Sequence, residues 1–132
     1  MQRSEVRLSQ IVTTTAHDAQ LLELREVSGE PPRTLTMMIG RDVAKVISAR
    51  VRSVETPRPL THDLAQDIVR ALGASVVEVE IRDLQEGTYF ATLRLRQGEQ
   101  LHELDARPSD AVALAFGASA PIFVHDRVWA AQ

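Results

Sequence analysis

The chain of 132 residues has no cysteine, which excludes a disulfide framework, a thiol nucleophile and a thiolate metal site. A chain without cysteine also fits a reducing compartment. No segment is long and apolar enough to cross a bilayer, and the polar, alternating N-terminus differs from a signal peptide. These absences lead us to expect a cytoplasmic protein without a membrane segment.

The chain is also poor in aromatic residues and has no excess of basic charge. Aromatic residues account for 4% of the chain, which argues against a base-stacking platform. The formal net charge is −3, so any contact with a polyanion must come from a local cluster of arginines rather than from the overall field. Hydrophobic residues make up 44% and charged residues 25%, which is typical of a soluble globular domain.

The N-terminal half has the pattern of an antiparallel β meander followed by a helix. Apolar residues alternate over 6–15, recur over 21–24 and alternate again over 35–39, with a turn rich in glycine and proline before the third run. After Gly40 the apolar spacing becomes helical over 41–52. We therefore predict strands that pair through a hairpin and lead directly into a first helix.

Two prolines, at 57 and 59, end the first helix. A second helix is predicted after them, over 60–72. Asp63 in its first turn suits the positive end of the helix dipole. The apolar residues of this helix follow helical spacing and form one stripe, the side that a helix normally turns to the core: Leu64, Ile68, Val69 and Leu72.

The rest of the chain predicts a second meander and a buried helix. Strands over 77–82, 89–95 and 100–105 are separated by tight turns. A third helix opens at Pro108, is apolar on nearly all sides and is followed by a short final strand. We therefore predict one α+β domain over residues 1–132, in which antiparallel β meanders pack with about three helices.

Two segments contain the residues best suited to chemistry, RPLTHDL at 58–64 and DARPSDA at 105–111. Each places Arg-Pro before a predicted helix and an aspartate in its first turn. A helix start offers unpaired backbone N–H groups and partial positive charge, and an adjacent arginine adds a planar cation, so together they suit a phosphate. We therefore predict that Arg58, Arg107 and Ser109 bind phosphate.

The alternative interpretation of both segments is structural, and the residues alone favour it for each segment taken separately. Asp63 and Asp110 would then cap their helices, which is the commonest role of aspartate at that position. The two arginines would pair with these aspartates, the prolines would only set the chain direction, and Ser109 would only help to start its helix.

Three residues are candidates for catalysis. His62 lies beside Asp63, and a histidine near neutral pH suits a general acid or base, although an exposed first-turn histidine without a catalytic role has equal weight. We name His62, Asp63 and Asp110 as the catalytic candidates.

A second hypothesis places Mg²⁺ or Mn²⁺ between Asp63, Asp105 and Asp110, because carboxylates suit these ions. For any single aspartate, a structural role is the stronger expectation.

The same two segments carry a resemblance to the bifunctional nuclease family, which is closest over 58–124. The hallmarks of the family appear here in order as RPLTHDL, YFA at 89–91, DARPSDA, and PIFV at 121–124. Four ordered blocks form a more specific signal than one short motif. The N-terminal half matches less closely, since Val43 stands where the family usually has glutamate, with Asp42 next to it.

The resemblance implies an α+β fold that is commonly a homodimer and, from the plant members, a nuclease that acts on both RNA and DNA. We therefore expect phosphodiester hydrolysis with low sequence specificity. The alternative is a non-catalytic, dimeric binding or regulatory domain that recognises an anionic ligand or a protein partner. The acidic balance, the scarcity of aromatic residues and Val43 favour this alternative. In a third interpretation, the motifs form only a folding core and the function lies in the N-terminal meander.

Overall fold

The computed structural model describes residues 2–12 and 19–132, and this part of the chain forms seven strands and four helices. The strands are β1 (Arg3–Val12), β2 (Ala19–Glu26), β3 (Thr34–Gly40), β4 (Ala74–Gln85), β5 (Thr88–Gln97), β6 (Gln100–Ala106) and β7 (Ile122–His125). The helices are α1 (Arg41–Val51), α2 (Thr61–Ala71), α3 (Pro108–Ala118) and α4 (Asp126–Ala131). The end of the predicted strand over 6–15 lies outside the described residues.

The seven described strands form one mixed sheet with the order β3-β2-β1-β7-β4-β5-β6. Strands β1, β2 and β3 pair antiparallel, as do β4, β5 and β6, so both predicted meanders are confirmed. Strand β7 joins the two meanders, antiparallel to β1 and parallel to β4. The sequence did not predict this parallel pair, because nothing within a four-residue strand shows which other strand it pairs with.

The α+β class is confirmed, and the three predicted helices lie close to their predicted positions. The sequence did not predict α4, which is only six residues long and therefore too short to show a helical period. His125 caps α4, since its Nδ1 accepts a hydrogen bond from the Arg127 amide at 3.1 Å. The indole N–H of buried Trp129 donates a hydrogen bond to Ser4 Oγ at 3.1 Å, which links α4 to β1.

The core lies on the face of the sheet that the helices cover. Alternate residues of β3 point into it, with Leu35, Met37 and Ile39 buried and the residues between them exposed. Helix α3 buries the whole run 111–115, which confirms the prediction that this helix is buried. None of the described helices has the length and apolar character needed to cross a membrane.

The opposite face of the sheet is charged. Glu78 and Glu80 of β4 form ion pairs with Arg94 of β5, and Arg3 of β1 reaches the same two carboxylates. Glu80 is only 8% exposed, so its charge is stabilised by arginines rather than by water. The predicted alternation of apolar and charged residues along β4 therefore separates the core from this charged face.

Helix α2 turns its predicted apolar stripe to solvent. Leu64, Ile68 and Leu72 are 55%, 52% and 65% exposed. Gln66 is buried instead, and its side-chain amide donates to a backbone carbonyl of α3 at 3.3 Å. The helix faces this way because polar side chains, His62 and Gln66, make its hydrogen bonds to α3.

The tip of the β4–β5 hairpin lies close to β3, although three strands, β2, β1 and β7, separate β3 from β4 in the sheet. The hydroxyl of Tyr89 donates a hydrogen bond to the backbone carbonyl of Thr36 at 3.3 Å. This contact brings the tip of the hairpin close to the end of β3, where α1 begins at Arg41. A cavity forms between these elements and the start of α3.

Candidate functional site

The starts of α2 and α3 meet in space, as a shared phosphate site would require. His62, the second residue of α2, lies with its Nε2 atom 2.8 Å from Oδ1 of Asp110, the third residue of α3. The side chains are 15% and 27% exposed, so the pair is shielded but not sealed from water. Two catalytic candidates from separate segments are thus in direct contact.

Arg107 holds the other oxygen of the same carboxylate. Its Nε atom donates to Oδ2 of Asp110 at 2.7 Å, while the arginine side chain is 78% exposed. Burial works to raise the pKa of the Asp110 carboxyl, but the hydrogen bonds from Arg107 and His62 outweigh burial and lower this pKa below its usual value. Asp110 is therefore ionised at neutral pH.

The ionised carboxylate fixes which nitrogen of His62 carries a hydrogen. Because an ionised carboxylate can only accept hydrogen bonds, Nε2 of His62 must be the donor to Asp110. A neutral imidazole in this arrangement keeps its lone pair on Nδ1. The Asp110 carboxylate thus orients the ring and leaves Nδ1 as the atom able to accept or return a proton.

Asp63 has a different task. Its Oδ2 accepts a hydrogen bond from the Leu60 amide at 2.9 Å, and its Oδ1 accepts one from Arg50 Nη2 at 2.9 Å. The Leu60 amide, followed by the Arg50 guanidinium, lowers the pKa of the Asp63 carboxyl. Arg50 also donates to the backbone carbonyl of Ala113 in α3. These contacts support the capping role that we gave as the alternative for this aspartate.

Arg58 and Ser109, the other predicted phosphate-binding residues, have different positions. Arg58 is exposed in the loop between α1 and α2, and its backbone carbonyl accepts a hydrogen bond from Thr56 Oγ1 at 2.7 Å. Among the described residues, its guanidinium forms no ion pair with Asp63 or Asp110. Ser109 is half-buried and lies beside Arg107 at the start of α3.

The three aspartates of the metal hypothesis do not converge. Ala106 of β6 packs against the core, so its neighbour Asp105 projects from the opposite, charged face of the sheet. There the Asp105 carboxylate pairs with Arg82 at 2.7 Å. Asp63 and Asp110 are each engaged in the contacts given above. Within 2–12 and 19–132, no group of three or more His, Asp or Glu side chains is placed to hold a metal ion. The arrangement therefore gives no support to a site formed by all three aspartates, and a dependence on Mg²⁺ or Mn²⁺ stays a prediction.

Two adjoining cavities open beside the start of α3. One of about 590 Å³ is lined by residues 36–40 of β3, 87–89 of the β4–β5 hairpin and 107–109. The other, of about 460 Å³, is lined by residues 40–43, Arg107 and Ser109. Arg107 and Ser109 line both cavities, and Arg107 also contacts Asp110, so this arginine connects the cavities with the His62–Asp110 pair.

Sequence reasoning did not assign a role to several residues of this region. Tyr89 belongs to one of the four blocks, but nothing local shows that it lies opposite β3. Arg50 sits in an ordinary helical stretch, and only the fold brings it between α2 and α3. Asp42 and Val43 line the second cavity together with Arg107, and Val43 is the position at which the resemblance led us to expect glutamate.

Comparison with known proteins shows what this chain is similar to. The model of the bifunctional nuclease domain matches residues 22–132 of the chain. Two proteins of Mycobacterium tuberculosis, from strains CDC 1551 and H37Rv, are each 43% identical over 126 residues, which cover 96% of this chain and 74% of the relative. They are named "Uncharacterized protein MT1877" and "Uncharacterized protein Rv1829". With the family model spanning most of the chain and all four blocks, this protein belongs to the bifunctional nuclease domain family.

Proposed function

We propose that this protein is a nuclease that hydrolyses phosphodiester bonds of RNA and DNA with low sequence specificity. The observation that carries the proposal is the contact between His62 Nε2 and Asp110 Oδ1 at 2.8 Å, which places an oriented imidazole at the junction of two helix starts. Arg107 and Ser109 line the cavities beside this pair. Membership of the bifunctional nuclease domain family supports the same activity.

In the proposed reaction, Arg107 and Ser109 hold the phosphate and His62 moves a proton. A water oxygen bonds to phosphorus while the bond from phosphorus to the leaving sugar oxygen breaks. Nδ1 of His62 accepts the proton of the attacking water, and the leaving oxygen takes a proton from solvent. Asp110 stabilises the imidazolium that forms, because its carboxylate lies 2.8 Å from Nε2. Arg107 offsets the negative charge that grows on the phosphate oxygens.

The test is cleavage of single-stranded RNA and DNA, labelled at one end, by the purified protein and its His62→Ala variant. We expect His62→Ala to slow cleavage by about 100-fold or more, the usual contribution of a general acid or base. His102→Ala is the matched control, because His102 lies on β6 and contacts Gln97 rather than the site. Equal rates for His62→Ala and the parent protein would remove His62 from the mechanism. Parallel reactions with Mg²⁺, Mn²⁺ or EDTA measure metal dependence separately.

A second candidate function is a non-catalytic domain that binds an anionic ligand or a protein partner. Two observations favour it: the aspartates of the site are committed to cations within the protein, and Val43 presents no carboxylate at the cavity. The cleavage assay separates the candidates when it is combined with a binding measurement. Retention of labelled RNA without any cleavage, in the parent protein and in His62→Ala alike, would favour binding alone.

The exposed side of α2 supports a homodimer. Leu60, Leu64, Ile68 and Leu72 recur every four residues and form a ridge that can pack against the same ridge of a second copy. With the two-fold axis perpendicular to α2, the two helices run antiparallel, which brings Arg70 towards the acidic first half of the partner helix. Light scattering should show a dimer for the parent protein and a monomer for the Leu64→Gln, Ile68→Gln double variant. A parent protein that is monomeric at micromolar concentration would contradict this arrangement.

A further inference from the structure

The larger cavity beside the site has two chemically different ends. Its apolar wall contains Met38, which is 72% exposed, and the half-buried ring of Tyr89. Its polar end contains Arg107 and Ser109, close to the His62–Asp110 pair. A volume of about 590 Å³ lies within the range of small-molecule binding sites, which is roughly 300–1,000 Å³.

We propose that this cavity is a subsite for one nucleotide unit of a single-stranded nucleic acid, with the base against Tyr89 and Met38 and the phosphate at Arg107. The proposal rests on the proposed nuclease function, because it names the part of the substrate that lies next to the bond to be cleaved. It commits to a base and a phosphate because the lining offers one apolar wall and one cationic end at the same opening.

The ring of Tyr89 is held in place before any ligand arrives. Its hydroxyl donates to the Thr36 carbonyl at 3.3 Å, and the ring also packs against the core. A fixed aromatic ring loses little conformational freedom when a base stacks on it, and every base has a face that can stack. A single such ring gives affinity without base identity, which agrees with low sequence specificity.

Arg107 provides the cationic end. One edge of its guanidinium, at Nε, is engaged by Asp110 at 2.7 Å, while the side chain as a whole is 78% exposed. The exposed edge is therefore free to meet a phosphate oxygen with further N–H donors. The adjoining cavity contains both Arg41 and Asp42, so Arg107 is the cation that the two cavities share.

The subsite also predicts which form of nucleic acid is accepted. A base can lie against Tyr89 only when it is unpaired and unstacked, which costs little in a single strand and much more in a duplex. Single-stranded RNA and DNA should therefore bind in preference to the corresponding duplexes. The 4% aromatic content excludes a long stacking platform but leaves room for one stacked base.

The test uses ligands that contain no phosphodiester bond, so binding is measured apart from cleavage. Adenosine 5′-monophosphate and ribose 5-phosphate are titrated into the full chain by calorimetry or NMR. We expect adenosine monophosphate to bind more tightly, and Tyr89→Leu to weaken its binding about tenfold or more while ribose 5-phosphate is unaffected. Tyr89→Phe keeps the ring and should keep the difference between the two ligands. Arg107→Gln should weaken the binding of both.

Equal affinity for the two ligands, or an unchanged affinity for adenosine monophosphate in Tyr89→Leu, would overturn the subsite. If Tyr89→Leu does not fold, Met38→Ala replaces it, since the exposed Met38 side chain contributes little to stability. Its adenosine monophosphate affinity should fall several-fold, and an unchanged value would overturn the subsite. The failure of the nuclease proposal looks different: the parent protein would distinguish the two ligands but cleave neither RNA nor DNA.

Discussion

The starts of α2 and α3 present the same residue type at the same place and use it differently. Asp63 and Asp110 are each the third residue of their helix. Asp63 accepts a hydrogen bond from the backbone amide at the start of its own helix, as a capping residue does. Asp110 accepts from the Arg107 side chain and from His62 of the other helix. One aspartate stabilises its own helix, whereas the other orients a residue that can do chemistry.

The neighbours of the two aspartates explain the difference. Arg50 approaches Asp63 from α1 and is only 12% exposed, so this ion pair is part of the packing between α1, α2 and α3. Asp110 meets an imidazole and an exposed guanidinium beside two cavities. The position of an aspartate within its helix therefore does not decide its role. That role depends on the residues that other elements bring into contact with it.

Replacing each aspartate by asparagine gives the largest expected contrast. Asp110→Asn should slow cleavage of single-stranded RNA by about 100-fold or more, because the imidazole loses the anion that orients it and stabilises its charged form. Asp63→Asn should leave the rate per folded molecule within a few-fold of the parent. The measurement is the initial cleavage rate, corrected for the folded fraction by circular dichroism. Similar rates for the two variants would contradict the difference in role between Asp63 and Asp110.

The two arginines that pair with these aspartates should differ in stability. Arg50→Ala should lower the free energy of unfolding by about 2–3 kcal/mol, because it removes hydrogen bonds to Asp63 and to the Ala113 carbonyl in a shielded place. Arg107→Ala should lower it by less than about 1 kcal/mol, as for other exposed ion pairs. Urea denaturation measures both values. A loss at Arg107 that matches the loss at Arg50 would contradict the comparison.

The contact between α2 and α3 can be disturbed away from both aspartates. A Cβ atom at Gly117 would clash with Gln66 Oε1 and lie 2.5 Å from Arg50 Nη1, so both side chains would have to move. Gly117→Ala should therefore destabilise the protein by about 1 kcal/mol net, since overpacking outweighs the better helix propensity of alanine. Thermal unfolding provides the value, with Ala118→Gly at the exposed end of α3 as a control for propensity. A gain in stability would show that the Gln66 and Arg50 side chains can move aside at little cost.

The smallest expected effect concerns acid stability. Both carboxyls have a pKa in the folded state below the ordinary value, so each adds stability that is present above the unfolded pKa and is lost as pH falls through the folded one. Asp63→Asn and Asp110→Asn should each flatten the fall in stability below about pH 4. Denaturation curves from pH 2 to 7 measure this slope. An unchanged slope in either variant would mean that its hydrogen bonds do not persist in solution.

Local patterns predicted much of the fold. Alternation marked the strands of both meanders, and glycine and proline marked their turns, because these signals lie within a few residues of one another. The parallel pairing of β7 with β4 depends on partners distant in sequence and was not predicted. The orientation of α2 was also missed, since its apolar stripe alone does not reveal that His62 and Gln66 bind to α3.

The candidate site was predictable in its parts but not in its connections. The two Arg-Pro segments identified His62, Arg107 and Asp110, whose chemistry is recognisable from residue type. The sequence did not show that His62 faces Asp110, 48 residues away, rather than its neighbour Asp63. It also gave no sign that Asp105 turns to the charged face of the sheet, because the side-chain direction depends on the register of β6.

The most direct test of the proposed mechanism is a double-mutant cycle of His62→Ala and Asp110→Asn, with single-stranded RNA cleavage as the measurement. If Asp110 acts by orienting His62, the double variant should cleave no more slowly than the slower single variant. The same cycle with Asp63→Asn in place of Asp110→Asn should give independent effects that multiply. Multiplying effects for His62 and Asp110 would contradict their action as one unit.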